Sequence, residues 1–300
     1  MTDNTAKHKP TPRAILIALA ILTVLGCGVT VYMTLRAIAA DEARHVTQLE
    51  ADARNAARGI EDYLGERQRL VRVFVQEHLD LVNRFEENPE SQALRQEIAN
   101  LLRQQFPSYF TFTIAGPNGR DLVNDIEGLV GEVCLLDIEE YVHQLSDAEH
   151  GEAHYRTVIH PQAGHYHFDV MTPRSDGDQL KGVFFVSFFP GPLAGILRAN
   201  QSPGHSLSVV NTDQPDLLEF GTEGARDKIS LRRDIRLDTI EMNNVVARAD
   251  IAHSRWRVIG SIKPDFLAQE RSDRRVVAIM IMIAIVCGST AAAFWVTRKR

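Results

Sequence analysis

The residues best suited to chemistry crowd between His143 and His167, a stretch holding six of the chain's 11 histidines. Two extended segments, His154–His160 and His165–Met171, flank Pro161-Gln162-Ala163-Gly164 and read as a β-hairpin. If His160 pairs with His165, then Val158 faces His167, Arg156 faces Asp169 and His154 faces Met171. Side chains alternate along a strand. His154, Arg156, His160, His165, His167 and Asp169 therefore share one face. Tyr155, Thr157, Ile159, Tyr166, Phe168 and Val170 share the other, which is the expected core side.

Three uses of the polar face are open. It can meet solvent, as one side of an antiparallel sheet often does. It can line a ligand pocket, with Arg156 clamping an anionic group such as an organic acid and Tyr155 or Asp169 orienting it; His154 and His167 stand on or beside that pocket. Or it can bind a metal or sense pH. His160, His165, His167 and Asp169 offer suitable ligand types, and an imidazole titrates near about 6.5. Elsewhere, Asp121, Asn124 and Asp125 follow a turn and could hold a cation or hydrate a loop. The lone extramembrane cysteine, Cys134, reads as a small buried hydrophobe, and Trp256 reads as core. No P-loop, Gly-x-Ser-x-Gly, Cys-x-x-Cys or His-Glu-x-x-His occurs. No catalytic residue, no cofactor and no enzymatic activity are expected of this chain.

The elements that would position this face follow from periodicity. Val46, Leu49, Ala53, Ala56, Ile60, Leu64, Leu70, Phe74, Leu81 and Phe85 recur at helical spacing from Asp41 to about Glu87. Gly59 and Gly65 would mark a bend, and the apolar stripe could pack on its own domain or on a second copy. Asn88-Pro89-Glu90-Ser91 starts a second helix running to about Gln105. The period then changes to two. Tyr109–Ala115 reads as a strand, Gly116-Pro117-Asn118-Gly119 as a turn, and Ile138–Leu145 as a short helix. In Lys181–Phe189 both alternating faces are apolar, as in a central strand covered on both sides; a helix follows at Leu193–Arg198. Leu207–Val210, Leu217–Phe220, Val245–Ile251 and Trp256–Ile262 read as strands of a smaller section, with a charged loop at Gly221–Asp238.

Ala14–Leu35 and Val276–Val296 contain no Asp, Glu, Lys, Arg or His. Each reaches the roughly 20 residues a helix needs to cross a bilayer. The net charge of −6 divides into +2 ahead of the first segment, +3 behind the second and −11 between them. Lys and Arg favour the cytoplasmic side, which predicts both termini inside a bacterial inner membrane and residues 36–275 in the periplasm. Arg271, Arg274 and Arg275, just before the second segment, run against that rule. Ala37-Ile38-Ala39 offers a signal-peptide cleavage site, but the apolar run exceeds the usual h-region, so an uncleaved anchor is expected. The acidic block excludes nucleic acid as a partner.

The order of elements resembles the Cache-type sensors of bacterial receptors, PAS-like extracytoplasmic domains found in chemoreceptors, sensor histidine kinases and diguanylate cyclases. The residues carrying the resemblance are Phe110-Thr111-Phe112-Thr113-Ile114-Ala115-Gly116-Pro117-Asn118-Gly119-Arg120, Gly182-Val183-Phe184-Phe185-Val186-Ser187 and Ser254-Arg255-Trp256-Arg257-Val258-Ile259-Gly260. It covers about Asp41–Arg275 and leaves open whether one Cache module or two are present. The expected fold is α+β: a long N-terminal helix on a PAS-like antiparallel sheet, a smaller strand-rich subdomain nearer the membrane, and two flanking transmembrane helices. The expected organisation is a cytoplasmic N-terminus (1–13), a span (14–35), the long and second helices (36–105), a membrane-distal Cache-like domain (106–204), a membrane-proximal strand-rich subdomain (205–264), a connecting helix (265–275), a span (276–296) and a cytoplasmic tail (297–300).

The resemblance implies a small-molecule ligand in the distal domain, a homodimer, and a signal passed through the second span. The aromatic and Arg-rich amino-acid-binding pattern of some double-Cache receptors is absent, which disfavours amino acids. Four residues follow the second span, so the kinase, cyclase or other cytoplasmic output is expected in a longer protein or a partner. The alternative is a membrane-anchored accessory protein whose periplasmic domain binds a protein partner.

Overall fold

A computed structural model of the chain describes residues 11–120, 132–147, 157, 159–162, 165–176, 179–225 and 236–298. It divides into two units, one made of the described parts of 1–47 and 263–300 and the other of 48–262.

The first unit consists of two helical segments, the start of α1 (Pro12–Glu77) and the whole of α7 (Pro264–Arg298). Both helices are long and apolar enough to cross a membrane. Thr23 Oγ1 donates to Ser289 Oγ at 2.7 Å, and Gly26 lies against Ile285. Further along, Arg274 pairs with Asp41 at 3.0 Å, Arg271 with Glu42 at 2.7 Å, and His45 with Glu270 at 2.9 Å. Two of the three arginines that run against the charge rule, Arg271 and Arg274, are thus matched by carboxylates on the first helix.

In the second unit α1 continues without a break. The helix continues through Gly59, where the missing side chain serves packing: a Cβ there would come within 2.9 Å of Ile196 on α5 (Gly191–Asn200). Leu49, Ala53, Ala56, Ile60, Val71 and Phe74 form its buried stripe. The helix ends before His78, and α2 (Leu79–Glu87) and α3 (Gln92–Gln105) follow. Ser91 caps α3 by accepting a hydrogen bond from the Leu94 amide.

Two antiparallel sheets complete the unit. The first joins β1 (Tyr109–Ala115), β2 (His160–Gln162), β3 (His165–Asp176) and β4 (Gln179–Phe188) in the order β1-β4-β3-β2. The second joins β5 (His205–Asn211), β6 (Leu218–Gly221), β7 (Gly224–Ala225), β8 (Val245–Asp250) and β9 (Trp256–Ile262) in the order β7-β6-β5-β9-β8. A five-residue helix, α6 (Thr239–Asn243), directly follows the stretch Gly221–Asp238 expected to be loop. Its short polar sequence holds through a capping box in which Asp238 and Glu241 satisfy each other's backbone amides.

The first sheet is covered on both faces, as the doubly apolar β4 requires. Phe184, Val186 and Phe188 pack toward α1–α3, where Phe74 meets Phe184 at 5.9 Å and Phe106 meets Phe188 at 5.5 Å between ring centroids. Val183 and Phe185 point the other way, with Ala115 and Met171, toward Cys134, Ile138, Tyr141, Val142 and Leu145. The last five residues belong to α4 (Glu132–Asp147). Fully burying each large apolar side chain stabilises the fold by roughly 1.5–3 kcal/mol. Gly182 is required at its position. Its φ is +139°, and a Cβ would sit 2.0 Å from the Ala115 carbonyl oxygen.

Trp256 is fully buried, edge-on to Phe168 of the first sheet and Phe220 of the second at 6.2 and 5.1 Å. It is a core residue where the two sheets meet.

Candidate functional site

Alternation along β3 sends Phe168 and Val170 into the core beneath α1, and His167, Asp169 and Met171 toward α4. The hairpin register differs from the expected one. His160 pairs with His167 and Gln162 with His165, in place of His160 with His165. Pro161 and Gln162, expected in the turn, lie inside β2. Before His160 the chain leaves β3: Thr157 bridges to Ser254, and the Ile159 amide donates to Glu219 Oε2 of β6 at 3.3 Å. The expected pairing of Val158 with His167 is thereby excluded. A slip of two residues preserves the facing of every side chain, so His160, His167 and Asp169 still share a face.

That face does not meet solvent, because α4 covers it. His160 is 3% exposed, His167 1% and Asp169 0%. The two imidazoles stack at 5.5 Å between centroids, and Phe110 flanks His167 at 5.1 Å. His160 Nε2 lies 3.0 Å from Asp169 Oδ2 and 3.1 Å from Asp137 Oδ2. His167 Nε2 lies 3.8 Å from Asp169 Oδ1 and 3.5 Å from Cys134 Sγ. Ser187, the cross-strand neighbour of Asp169 on β4, donates to Asp169 Oδ1 at 2.7 Å.

The cluster is crowded and incompletely satisfied. His160 Nε2 is close to two carboxylates, yet its N–H aligns with neither. Its Nδ1 and Asp169 Oδ2 likewise lack an aligned partner. The close approach is an ion pair without aligned hydrogen bonds. Burial alone would lower the basicity of His160. The Asp169 carboxylate, with Asp137 and Cys134 beside it, overrides this and holds the ring well above the usual imidazole range. Burial likewise tends to raise the Asp169 carboxyl, but His160, His167 and Ser187 hold it below the ordinary range. The arrangement is a buried imidazolium–carboxylate pair with a second imidazole and a thiol against it.

No family model matches the chain, and no curated protein is similar to it. Solved structures similar to it include sensory domains of bacterial receptors. One is the sensory domain of the Campylobacter jejuni chemoreceptor Tlp3, 11% identical, covering 77% of this chain and 98% of that one, with a TM-score of 0.48. Another is the extracellular domain of the putative histidine kinase soHK1S-Z6, at 16% identity, 76% and 97% coverage and a TM-score of 0.47. A third is a domain of a putative sensory box/GGDEF family protein from Vibrio parahaemolyticus, at 12% identity, 74% and 99% coverage and a TM-score of 0.45. Similarity at this distance leaves ligand, output and assembly to be read from the chain's own residues.

Of the residues singled out in the sequence, the structure brings His160, His167 and Asp169 together. His165 opens β3 opposite Gln162, with its side chain outside the described part. His154, Tyr155 and Arg156 lie outside the described residues, as do Asp121, Asn124 and Asp125. Cys134, read as a small buried hydrophobe, is buried in the apolar layer under α4 and also borders the cluster; Asp137 and Ser187 were missed. Cys134 and Asp137 come from α4, three residues apart and so on one helical face; that spacing was the available signal. Ser187 was visible only as the polar interruption in an apolar strand.

A cleft of about 990 Å³ adjoins the cluster; Glu61, Arg69, Arg72, Tyr141, Asp169 and Arg174 are among its lining residues. Burial pushes the Tyr141 phenol up to about 12, against the opposing pull of Arg72, so it stays a hydrogen-bond donor at neutral pH. Arg174 is itself buried and held by Glu86 at 2.6 Å.

Proposed function

We propose that the chain is the periplasmic ligand-sensing region of a bacterial inner-membrane receptor, with both termini in the cytoplasm and residues 36–275 outside. The observation that carries this is the polar cluster under α4. A stable domain would fill that space with apolar side chains, as it does on the opposite face of the same sheet. Here an ion pair with unaligned polar atoms stands at the edge of a cleft, and such groups are retained where something must bind.

The helices supply the route for the signal. α1 runs unbroken from an apolar segment to the stripe beneath the first sheet, and α7 begins two residues after β9. Leu22, Val24, Met280 and Trp295 are exposed on these helices, which suits hydrocarbon and not water. In this reading occupancy of the cluster shifts α4 against the sheet, alters the packing of α1 between two copies of the chain, and moves α7 and the cytoplasmic output it serves.

Topology is tested first, by labelling a Ser175→Cys variant in whole cells with a membrane-impermeant thiol reagent after the native cysteines are replaced. Labelling is expected; a site protected until the cells are lysed overturns the orientation. The sensing role is tested on the full chain in lipid nanodiscs, by cysteine cross-linking between copies across Asp41–Leu64. A compound that raises the melting temperature should change the cross-linking pattern. Identical patterns with and without every stabilising compound from a panel of organic acids, amino acids and divalent metals sink the mechanism.

A further inference from the structure

Cys134, His167 and Asp169 are all buried, and one donor atom from each lies within 4.8 Å of the other two. Two of the three separations are close to what a tetrahedral ion demands. With metal–ligand bonds of about 2.0–2.3 Å, two donors on one ion stand roughly 3.3–3.8 Å apart. Cys134 Sγ and His167 Nε2 are 3.5 Å apart, and His167 Nε2 and Asp169 Oδ1 are 3.8 Å apart. We propose, building on the sensing role assigned to this cluster, that these three residues form a binding site for a late first-row divalent metal of the zinc type.

The donor set selects that class. A thiolate, an imidazole and a carboxylate together suit zinc and its neighbours, whereas calcium and magnesium take oxygen ligands. The elements fix the donors independently. His167 and Asp169 are held at a two-residue spacing on β3, and Cys134 is brought over them by α4. Ser187 donates to Asp169 from the neighbouring strand, the kind of outer contact that orients a metal-binding carboxylate.

A second observation points into the same space. Asp169 Oδ2 and both ring nitrogens of His160 are buried without an aligned hydrogen bond, which is expensive unless a further partner arrives. Three protein donors leave a tetrahedral ion one open position, the pattern of exchangeable sites and not of closed structural ones. His160 Nε2 stands 3.0 Å from Asp169 Oδ2; with its proton displaced it can complete the shell, or it can yield the open position to a small-molecule ligand.

The test uses the full chain in nanodiscs, stripped with a chelator and titrated with Co²⁺ alone. Cobalt reports a bound thiolate through its sulfur-to-metal absorption band, so adventitious binding to the many histidines does not mimic the site. One Co²⁺ per chain with a thiolate band, displaced by Zn²⁺, is expected. Cys134→Ser should abolish the band, and His167→Ala should weaken binding by roughly tenfold or more, since even outer-shell changes reach that scale. Cys27→Ser and Cys287→Ser should leave it unchanged. Asp169→Asn, the near-isosteric variant, should also lose affinity while retaining its melting transition, separating loss of the site from loss of the fold. No stoichiometric binding, or a band that survives Cys134→Ser, overturns the metal site. If that happens while an organic compound still changes the Asp41–Leu64 cross-linking, the sensing role stands and only its metal is wrong.

Discussion

His160–Asp169 and His205–Asp52 are both buried imidazole–carboxylate pairs, and the protein treats them in opposite ways. Asp52 projects from α1 toward the start of the second sheet. Its Oδ2 accepts from His205 Nδ1 at 2.8 Å and from the Ser202 amide at 3.2 Å. Its Oδ1 accepts from Gln48 Nε2 at 2.9 Å and Ser202 Oγ at 3.1 Å. Both carboxylate oxygens are satisfied by aligned donors. Asp169 is buried at least as deeply, yet one of its oxygens and its imidazole partner have no aligned bond. Full satisfaction describes a staple, here pinning α1 to the segment that enters β5. Partial satisfaction under equal burial describes a place kept open for something else.

The largest effect that can break this contrast is removal of the staple. Asp52→Ala leaves His205, Gln48 and Ser202 facing a buried gap, and should lower unfolding stability by about 2–4 kcal/mol. Denaturant unfolding of the full chain in detergent measures it. A loss below about 1 kcal/mol would mean that water replaces the carboxylate, and Asp52 would cease to count as a staple.

Acid should expose the same staple. Burial pushes the Asp52 carboxyl up, but the hydrogen bonds from His205, Gln48 and Ser202 more than offset this and hold it below its ordinary range. A carboxyl that is more acidic folded than unfolded adds stability that is fully present above the unfolded value, about 3.9. That stability is lost as the pH falls through the lower folded value. The melting temperature of the wild type should therefore drop more steeply below about pH 4 than that of Asp52→Asn. Parallel acid limbs for the two proteins would show that the hydrogen bonds do not favour the charged form. Ser202→Ala removes one donor and leaves its backbone amide bond in place, so a loss of about 0.5–1.5 kcal/mol is expected. A loss as large as that of Asp52→Ala would instead place the whole weight of the staple on one hydroxyl.

The contrast between the pairs also marks where sequence could and could not reach. Alternation alone placed His160, His167 and Asp169 on one face, and that survived a register error because a slip of two keeps parity. β1 and β9 have the bounds their alternating residues implied, since both are apolar strands ended by turn or helix signals. What local pattern cannot supply is the identity of the covering element. Nothing in His160–Asp169 says that α4 lies over it, so a polar face that solvent could have bathed proved to be interior. For the same reason Cys134 and Asp137 were out of reach, their meaning depending on a tertiary contact. Gly59 shows a related case, where a residue read only for its effect on the backbone is also a contact point for α5.

The smallest stability effect should come from the more deeply buried carboxylate. Asp169→Asn keeps the shape of the side chain, and its amide oxygen can still accept from Ser187. The atom it changes, Oδ2, has no aligned hydrogen bond to lose. Neutralising Asp169 removes a buried charge, and His160 can then shed its own proton, so much of the desolvation penalty of the pair disappears with its attraction. The net change in unfolding stability should be within about 1 kcal/mol, measured alongside Asp52→Asn under the same conditions. Sites held for binding commonly show this tolerance, because their polar groups are selected for what they hold and not for the fold. A loss of about 3 kcal/mol or more would reverse the assignment: Asp169 would then be a staple like Asp52, with the thiol and imidazoles around it serving the ion pair and leaving nothing vacant for a ligand.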